Sequence, residues 1–214
     1  MSYIAGIDEA GRGPLIGPMV IAIVAAKEQK LHLIEKLGVR DSKLLTPSRR
    51  ERLRRVLEET LDYISMRVVS PEEIDRAVEG VTYENLNHLE LSLIADLIKK
   101  AVREVEIVRV YVDSPDPIPS RFRDKLALEV DGDVEVIVEN HADEKYVIVS
   151  AASIVAKTER DRIIEKLKRE YGDFGSGYPS DPRTIAFIRS LLEGGRDLPP
   201  IVRRSWKTLN RIKI

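Results

Sequence analysis

IAGIDEAGRGPLIGP, residues 4–18, runs from an apolar stretch onto two adjacent carboxylates and then into a glycine-rich turn. Short apolar runs closed by Gly or Pro are strand signals, so Tyr3–Ile7 is expected as a buried strand with Asp8 and Glu9 at its mouth. Side chains alternate along a strand. The two acids should therefore not both point into the sheet, and at a strand end facing a cleft they repel unless a divalent cation sits between them. Gly11, Gly13 and Gly17 let main-chain N–H groups come close to a ligand, and anion contact is one use of such a turn. An exposed turn accounts for Asp-Glu followed by Gly equally well. A phosphate-cradling P-loop fits poorly, because GRGPLIGP lacks the Lys-Ser/Thr pair, and the GxGxxG dinucleotide spacing is missing.

The rest of the 214-residue chain is 43% hydrophobic, enough to bury a real core. Cysteine is absent, which excludes a disulfide frame, a thiol nucleophile and a zinc-thiolate site and is compatible with a reducing compartment. No secretory leader pattern opens the chain and no run reaches membrane-spanning length, so neither secretion nor a membrane role is expected. Charged residues at 33% resemble a thermophile's composition, although solvated helix faces give the same signal in ordinary proteins; a melting midpoint near ~50 °C would count against the first. The net charge of −1 does not announce a nucleic-acid binder, so local distribution matters more.

Met19–Ala26 suits a central strand pairing antiparallel with the first. Leu31–Leu37 fits a short helix, and VRDSKLL (39–45) a polar loop in which Asp41, Ser42 and Lys43 also make a plain turn. Thr46 and Pro47 signal a helix start. Leu53, Val56, Leu57 and Leu61 supply its apolar face, with Arg49, Arg50, Arg52, Arg54 and Arg55 opposite, read as solvated rather than as a nucleic-acid stripe. A third strand is expected over Leu61–Val69, then a helix capped by Ser70-Pro71-Glu72-Glu73. The longest helix should follow, packing Leu86, Leu89, Leu93, Leu97 and Ala101 with Glu90 and Lys99 or Lys100 outside. Val108–Val112 is a fourth strand ending on Asp113, where Asp-Ser-Pro-Asp also starts turns well. Val134–Val138 is a fifth, and Asp143 sits just ahead of a helix carrying Ile148, Ala152, Val155, Ile163 and Leu167. The loop at 172–182 is rich in Gly and Pro yet holds Phe174 and Tyr178, and a helix from Asp181 to Leu192 closes on Gly194-Gly195. The tail holds Arg196, Arg203, Arg204, Lys207, Arg211 and Lys213 against only Asp197, so it is the one clearly basic segment, with Trp206 inside it.

Three strands, then strands separated by helices, with acids at the strand ends, are the layout of a ribonuclease H-like fold: α/β, a mixed five-stranded sheet flanked by helices. One catalytic domain over 1–193 is expected, with a basic helical extension over 194–214 packed on it. Four carboxylates with no Cys and no His cluster favour Mg²⁺ or Mn²⁺ over zinc, and paired ions of that kind hydrolyse phosphodiesters.

The chain resembles the ribonuclease HII family in its archaeal-like form, over nearly its whole length. IAGIDEAGRGPLIGP, RDSKLL, YVDSPD, HADEKYVIVSAASIVAKTERD, GSGYPSDPRT and RRSWKT fall in the family's order and at similar spacing. The resemblance implies that Asp8, Glu9, Asp113 and Asp143 are catalytic, metal-binding carboxylates. It implies that Gly11, Arg12 and Gly13 read the ribose 2′-OH and the phosphate beside the cut, and that Tyr178 stacks on the sugar of the following deoxynucleotide. Lys43, Ser150 and Lys157 would position phosphates, although Ser150 serves a helix start as readily. His141, two residues before Asp143, fits a proton shuttle or an aid to product release, and an incidental loop residue better. The implied activity is endonucleolytic cleavage of the RNA strand of RNA–DNA hybrids and of ribonucleotide-containing duplex DNA, leaving 3′-hydroxyl and 5′-phosphate ends, by a cytoplasmic monomer. Some relatives end in a sliding-clamp-binding peptide with Gln and paired aromatics; LNRIKI has neither, so no strong clamp contact is expected through it. Two rivals remain: a junction nuclease of the same fold, which would leave a single ribonucleotide uncut, and a non-catalytic binding module, which a degenerate acid set would favour.

Overall fold

The computed structural model describes residues 2–39, 45–130 and 134–212. β1 (Tyr3–Ala10) and β2 (Met19–Lys27) pair antiparallel, with Asp8 opposite Ala22 and Glu9 opposite Ile21. β1 also pairs in parallel with β4 (Ile107–Asp113), and β4 with β5 (Glu135–Glu139). β3 (Tyr63–Val69) completes the order β3-β2-β1-β4-β5, the mixed five-stranded sheet expected. β2 is buried from Met19 through Ala26, as an uninterrupted apolar run requires. Ile7 pairs with Val112, and Asp113 with Glu139. The carboxyl ends of the three parallel strands thus form one edge, and that edge is where open α/β sheets take ligands.

Helix starts follow their sequence signals. α1 (Leu31–Lys36) is short. α2 (Pro47–Thr60) begins where the Thr46 side chain accepts the Arg49 N–H, and α3 (Pro71–Val78) begins on a full capping box between Ser70 and Glu73. Both α1 and α2 lie between β2 and β3, so the chain does not lay down three strands in succession. α4 (Leu86–Glu104) is not the longest helix: it has 19 residues against 25 in α7 (Val147–Tyr171). Glu90 is buried rather than outside, and Arg54 is buried too, donating to Glu58 and to the Val155 carbonyl. α5 (Pro119–Glu129) was not foreseen; it packs through Phe122 and Leu126. α6 (Ala142–Lys145) is one turn, and α8 (Pro182–Glu193) starts on the Asp181 side chain, as its sequence signals. α9 (Lys207–Ile212) ends the described chain.

Contacts divide the protein into two compact units, the first from the segments up to Ala10, Val20–Arg67 and Glu90–Glu159, the second from Gly11–Met19, Val68–Leu89 and Arg160 onward. The first unit holds most of the sheet, and α7 packs directly on the β1 backbone there. A Cβ added to Gly6 would lie 2.5 Å from the Ile148 carbonyl carbon, which only glycine avoids. The second unit has its own core, built around Leu15, Ile16, Ile164, Phe174, Ile188 and Leu209. The segment read as a basic tail therefore also supplies core. Among the described residues no helix is long and apolar enough to cross a membrane.

Candidate active site

Within the first unit, the edge of the sheet gathers acids. Asp8 is buried at the end of β1, where its Oδ1 accepts the Glu9 N–H at 2.7 Å; Glu9, on the opposite face of the strand, is half-buried. Asp113 ends β4, and its Oδ1 accepts the Ala142 N–H at 2.8 Å. That bond ties the start of α6 to β4 and puts Asp143, buried, in the first turn of α6. Burial pushes the Asp8 carboxyl up to about 7. The Asp113 and Asp143 charges add to the rise, while a hydrogen bond from Ser153 and the Lys157 ammonium oppose it. The charges of two of the other expected acids thus bear on a carboxyl that is itself buried. Such a set suits a hard divalent cation, which would favour the ionised form of every member.

One stripe of α7 serves these acids. Ser150, Ser153 and Lys157 recur at helical spacing. Ser150 is buried and donates its hydroxyl to the Asp143 carbonyl at 2.5 Å and to the Tyr146 carbonyl at 3.3 Å, so it holds the backbone of a candidate ligand. Lys157 donates to Ser153 Oγ at 2.7 Å. This relay from Lys157 through Ser153 to Asp8 was not foreseen, although the spacing of small polar residues inside SAASIVAK was its signal. On the far side, Glu139 accepts from Tyr146 Oη at 2.8 Å, and Tyr146 stacks on Tyr111 with centroids 4.0 Å apart. The two carboxylates at the ends of β4 and β5 are therefore both engaged by the α6 region.

His141 caps α6 in the left-handed region, φ 58°, the one non-glycine residue there among those described. Such backbone is uncommon outside Gly. Among the described residues, the group of three His, Asp or Glu side chains whose ligand atoms lie within 4.8 Å of one another is His141, Asp143 and Glu144. His141 and Glu144 are exposed and Asp143 is buried. A His-containing cluster was not expected.

The glycine turn belongs to the second unit, where it is held from several sides. Leu15 and Ile16 both donate their N–H to the Gly177 carbonyl, at 2.7 and 3.2 Å, so the turn and the loop bearing Tyr178 are bonded together. A Cβ on Gly13 would sit 3.8 Å from Tyr178 Cε1. Tyr178 is 38% exposed, with the Arg160 guanidinium 5.4 Å from its ring centroid. Arg12 donates to Asn87 Oδ1 at 2.6 Å. The structure therefore brings Gly11-Arg12-Gly13 and Tyr178 together. Two supports escaped the sequence reading: Arg160 and the buried Arg203, both of which donate to carbonyls of the turn. Arg203 lies in the segment read as basic, and charge alone does not show that carbonyls await it. Lys43 lies outside the described residues.

The sequence profile of the family Ribonuclease HII matches residues 5–209. The chain is 53% identical over 213 residues to a ribonuclease HII of Thermofilum pendens, covering 100% of both chains. The crystal structure of the ribonuclease H2 from Pyrococcus horikoshii superposes with a TM-score of 0.90 at 43% identity, covering 99% of this chain and 97% of that one. The ribonuclease HII solved in a complex with PCNA from Archaeoglobus fulgidus superposes with a TM-score of 0.87 at 42% identity, over 99% and 97% of the two chains. Given the profile match and identity spanning the whole length, the chain belongs to the ribonuclease HII family and is a ribonuclease H enzyme, an endonuclease acting on RNA–DNA hybrids.

Proposed function

We propose that this enzyme also cuts on the 5′ side of ribonucleotides embedded in duplex DNA, with Asp8, Glu9, Asp113 and Asp143 holding two Mg²⁺ or Mn²⁺ ions. The observation that carries the metal assignment is the burial of Asp8 beside Asp113 and Asp143, which drives its carboxyl up to about 7 and which a bound cation would relieve. Bound there, divalent ions would activate water and stabilise the leaving oxygen, giving 3′-hydroxyl and 5′-phosphate ends. Asp113 keeps Asp143 in place through the Ala142 N–H, and Ser153 keeps the Asp8 carboxylate oriented. Lys157 and Lys43 are assigned to phosphates of the cut strand.

Ribose is told from deoxyribose by the 2′-OH alone. Main-chain groups of Gly11, Arg12 and Gly13 are assigned to it, and the exposed ring of Tyr178 to the sugar on the next nucleotide. The enzyme is assigned to the cytoplasm as a monomer. The tail LNRIKI, lacking Gln and paired aromatics, is expected to make no strong clamp contact.

The test is cleavage of two duplexes, one all-DNA and one with a single ribonucleotide, with Mg²⁺ and with EDTA. One metal-dependent cut 5′ of the ribonucleotide is expected, and none in the all-DNA duplex. An uncut ribonucleotide duplex would sink the embedded-site activity while leaving hybrid cleavage intact. Tyr178→Ala should cost more on this duplex than on a continuous hybrid, where other registers can bind, and Tyr178→Phe should retain most activity. Equal losses on both substrates in a folded Tyr178→Ala protein would remove the junction-reading role.

A further inference from the structure

The Gly11–Pro18 turn is held through its carbonyl oxygens. Arg203 is fully buried, and its guanidinium donates to the carbonyls of Gly11 (2.5 Å), Arg12 (2.8 Å) and Gly17 (3.0 Å). Trp206 packs against that guanidinium, 4.9 Å from ring centroid to Cζ, and donates its own Nε1–H to the Gly13 carbonyl at 3.0 Å. Every peptide plane from Gly11 to Pro14 thus has its oxygen fixed by one of two side chains of the C-terminal segment.

That segment is itself pinned. Ile16 and Val202 form a β-bridge, and the Arg203 N–H donates to the Leu15 carbonyl at 2.8 Å. Asp75 in α3 accepts the N–H groups of Arg204 and Ser205 at 2.7 and 3.0 Å, and the Ser205 hydroxyl at 2.6 Å. The clamp is therefore anchored at the residues flanking its two working side chains.

A trans peptide plane is rigid, so the N–H of one residue points opposite to the C=O of the residue before it. Holding the Gly11 oxygen fixes the direction of the Arg12 N–H, and holding the Arg12 oxygen fixes the Gly13 N–H. Both N–H groups are directed away from a guanidinium with no solvent exposure, and Gly13 is itself exposed. They are two of the main-chain groups assigned above to the ribose.

We propose that Arg203 and Trp206 are positioning residues for ribose recognition: Arg203 sets the two peptide planes that carry the Arg12 and Gly13 N–H groups, and Trp206 fixes the Gly13–Pro14 plane on the other side of the Gly13 Cα, so that those two N–H groups meet the 2′-OH side of the substrate. The proposal rests on the reading of that turn as the ribose reader. Arg suits the task because its planar fork spans three carbonyls, which the compact ammonium of Lys cannot do from one place. Neither side chain needs to touch nucleic acid.

The experiment is fluorescence anisotropy on the full chain in EDTA, with two labelled duplexes differing only by one ribonucleotide; the ratio of their Kd values is the ribose preference. Arg203→Lys is expected to lower that preference about tenfold and Trp206→Phe about threefold, the scale of losing hydrogen bonds to fixed acceptors. The Kd for the all-DNA duplex and the circular dichroism spectrum should stay as in the wild type. An unchanged preference in folded Arg203→Lys overturns the proposal, and so does an equal loss on both duplexes, which a purely structural role would give. Should Arg203→Lys not fold, an unchanged preference in Trp206→Phe overturns it. Gly13→Ala separates this proposal from the reading beneath it, since the added Cβ meets only Tyr178, at an ordinary 3.8 Å. A preference that survives Gly13→Ala means the ribose is read elsewhere, and both fall. One lost in Gly13→Ala yet kept in the Arg203 and Trp206 variants removes the positioning role alone.

Discussion

At the scale of residues, Asp8 and Asp113 make opposite demands on a substitution. Asp113→Asn keeps an oxygen to accept the Ala142 N–H, so α6 and the fold should survive. It removes one of the charges that raise the Asp8 carboxyl, and it removes a candidate ligand. Partners outside a metal's ligand shell already cost about 10–100-fold when lost, so cleavage should fall by about a hundredfold or more at saturating Mg²⁺, with an unchanged circular dichroism spectrum. Activity within a few-fold of wild type would refute the assignment. Asp8 carries a pH signature as well. Its carboxyl titrates near 4 when unfolded and is pushed up to about 7 in the metal-free protein. The native state therefore holds a proton that the unfolded state has released, and the stability this contributes is full below pH ~4 and lost as pH rises through about 7. Thermal melts in EDTA should show wild-type stability falling between pH 5 and 7 relative to Asp8→Asn, which lacks the titration. Parallel melting curves for the two proteins would place Asp8 in a wetter, less repulsive setting than the structure gives it.

At the scale of elements, α7 connects the two roles of the first unit, since one stripe of it supports the acids and its first turn lies on the backbone of β1. Gly6→Ala tests that contact. The new Cβ would fall 2.5 Å from backbone atoms of Ile148, which cannot rotate away, so α7 must shift. Overpacking of this kind costs about 1–3 kcal/mol, readable as a lower urea midpoint at unchanged slope, and metal affinity should fall with it because Ser150 and Ser153 move. A variant as stable as wild type would mean that β1 and α7 are less closely packed. The legibility of the sequence divides along similar lines. β1, β2, the capped starts of α2, α3 and α8, and the acids at the ends of β1 and β4 were readable because each rests on local chemistry: apolar runs, caps, a strand that ends on a carboxylate. α5 was missed because only Phe122 and Leu126 mark its buried side and the Ser-Pro-Asp-Pro run before it reads as a turn, although Pro119 at its first position was a start signal. Glu90, Arg54 and Arg203 were read as surface charge. A sequence shows that a residue is charged, whereas the carbonyls that let Arg54 and Arg203 lie buried come from residues about a hundred or more positions away.

At the scale of the whole molecule, a net charge of −1 cannot draw a polyanion by itself, so nucleic-acid affinity must come from local clusters whose size a salt titration counts. Two exposed clusters compete for that role: Arg49, Arg52 and Arg55 on one face of α2, and Lys207 with Arg211 on α9. Deleting the tail after Gly195 does not separate them, because Ile201, Val202, Leu209 and Ile212 are core of the second unit and Arg203 holds the glycine turn. Point variants do. Each phosphate contact contributes about 0.9 to the slope of log affinity against log salt on a duplex. Lys207→Glu with Arg211→Glu should therefore flatten the slope by up to about 1.8 if both groups meet phosphates, with the folded fraction unchanged because both side chains are exposed. Charge reversal at Arg49, Arg52 and Arg55 should leave the slope as it was, as befits a solvated helix face. The reverse outcome, a flattened slope only in the α2 variant, would move the duplex contacts to the first unit and leave the C-terminal segment with a single task, that of holding Gly11-Arg12-Gly13 in place.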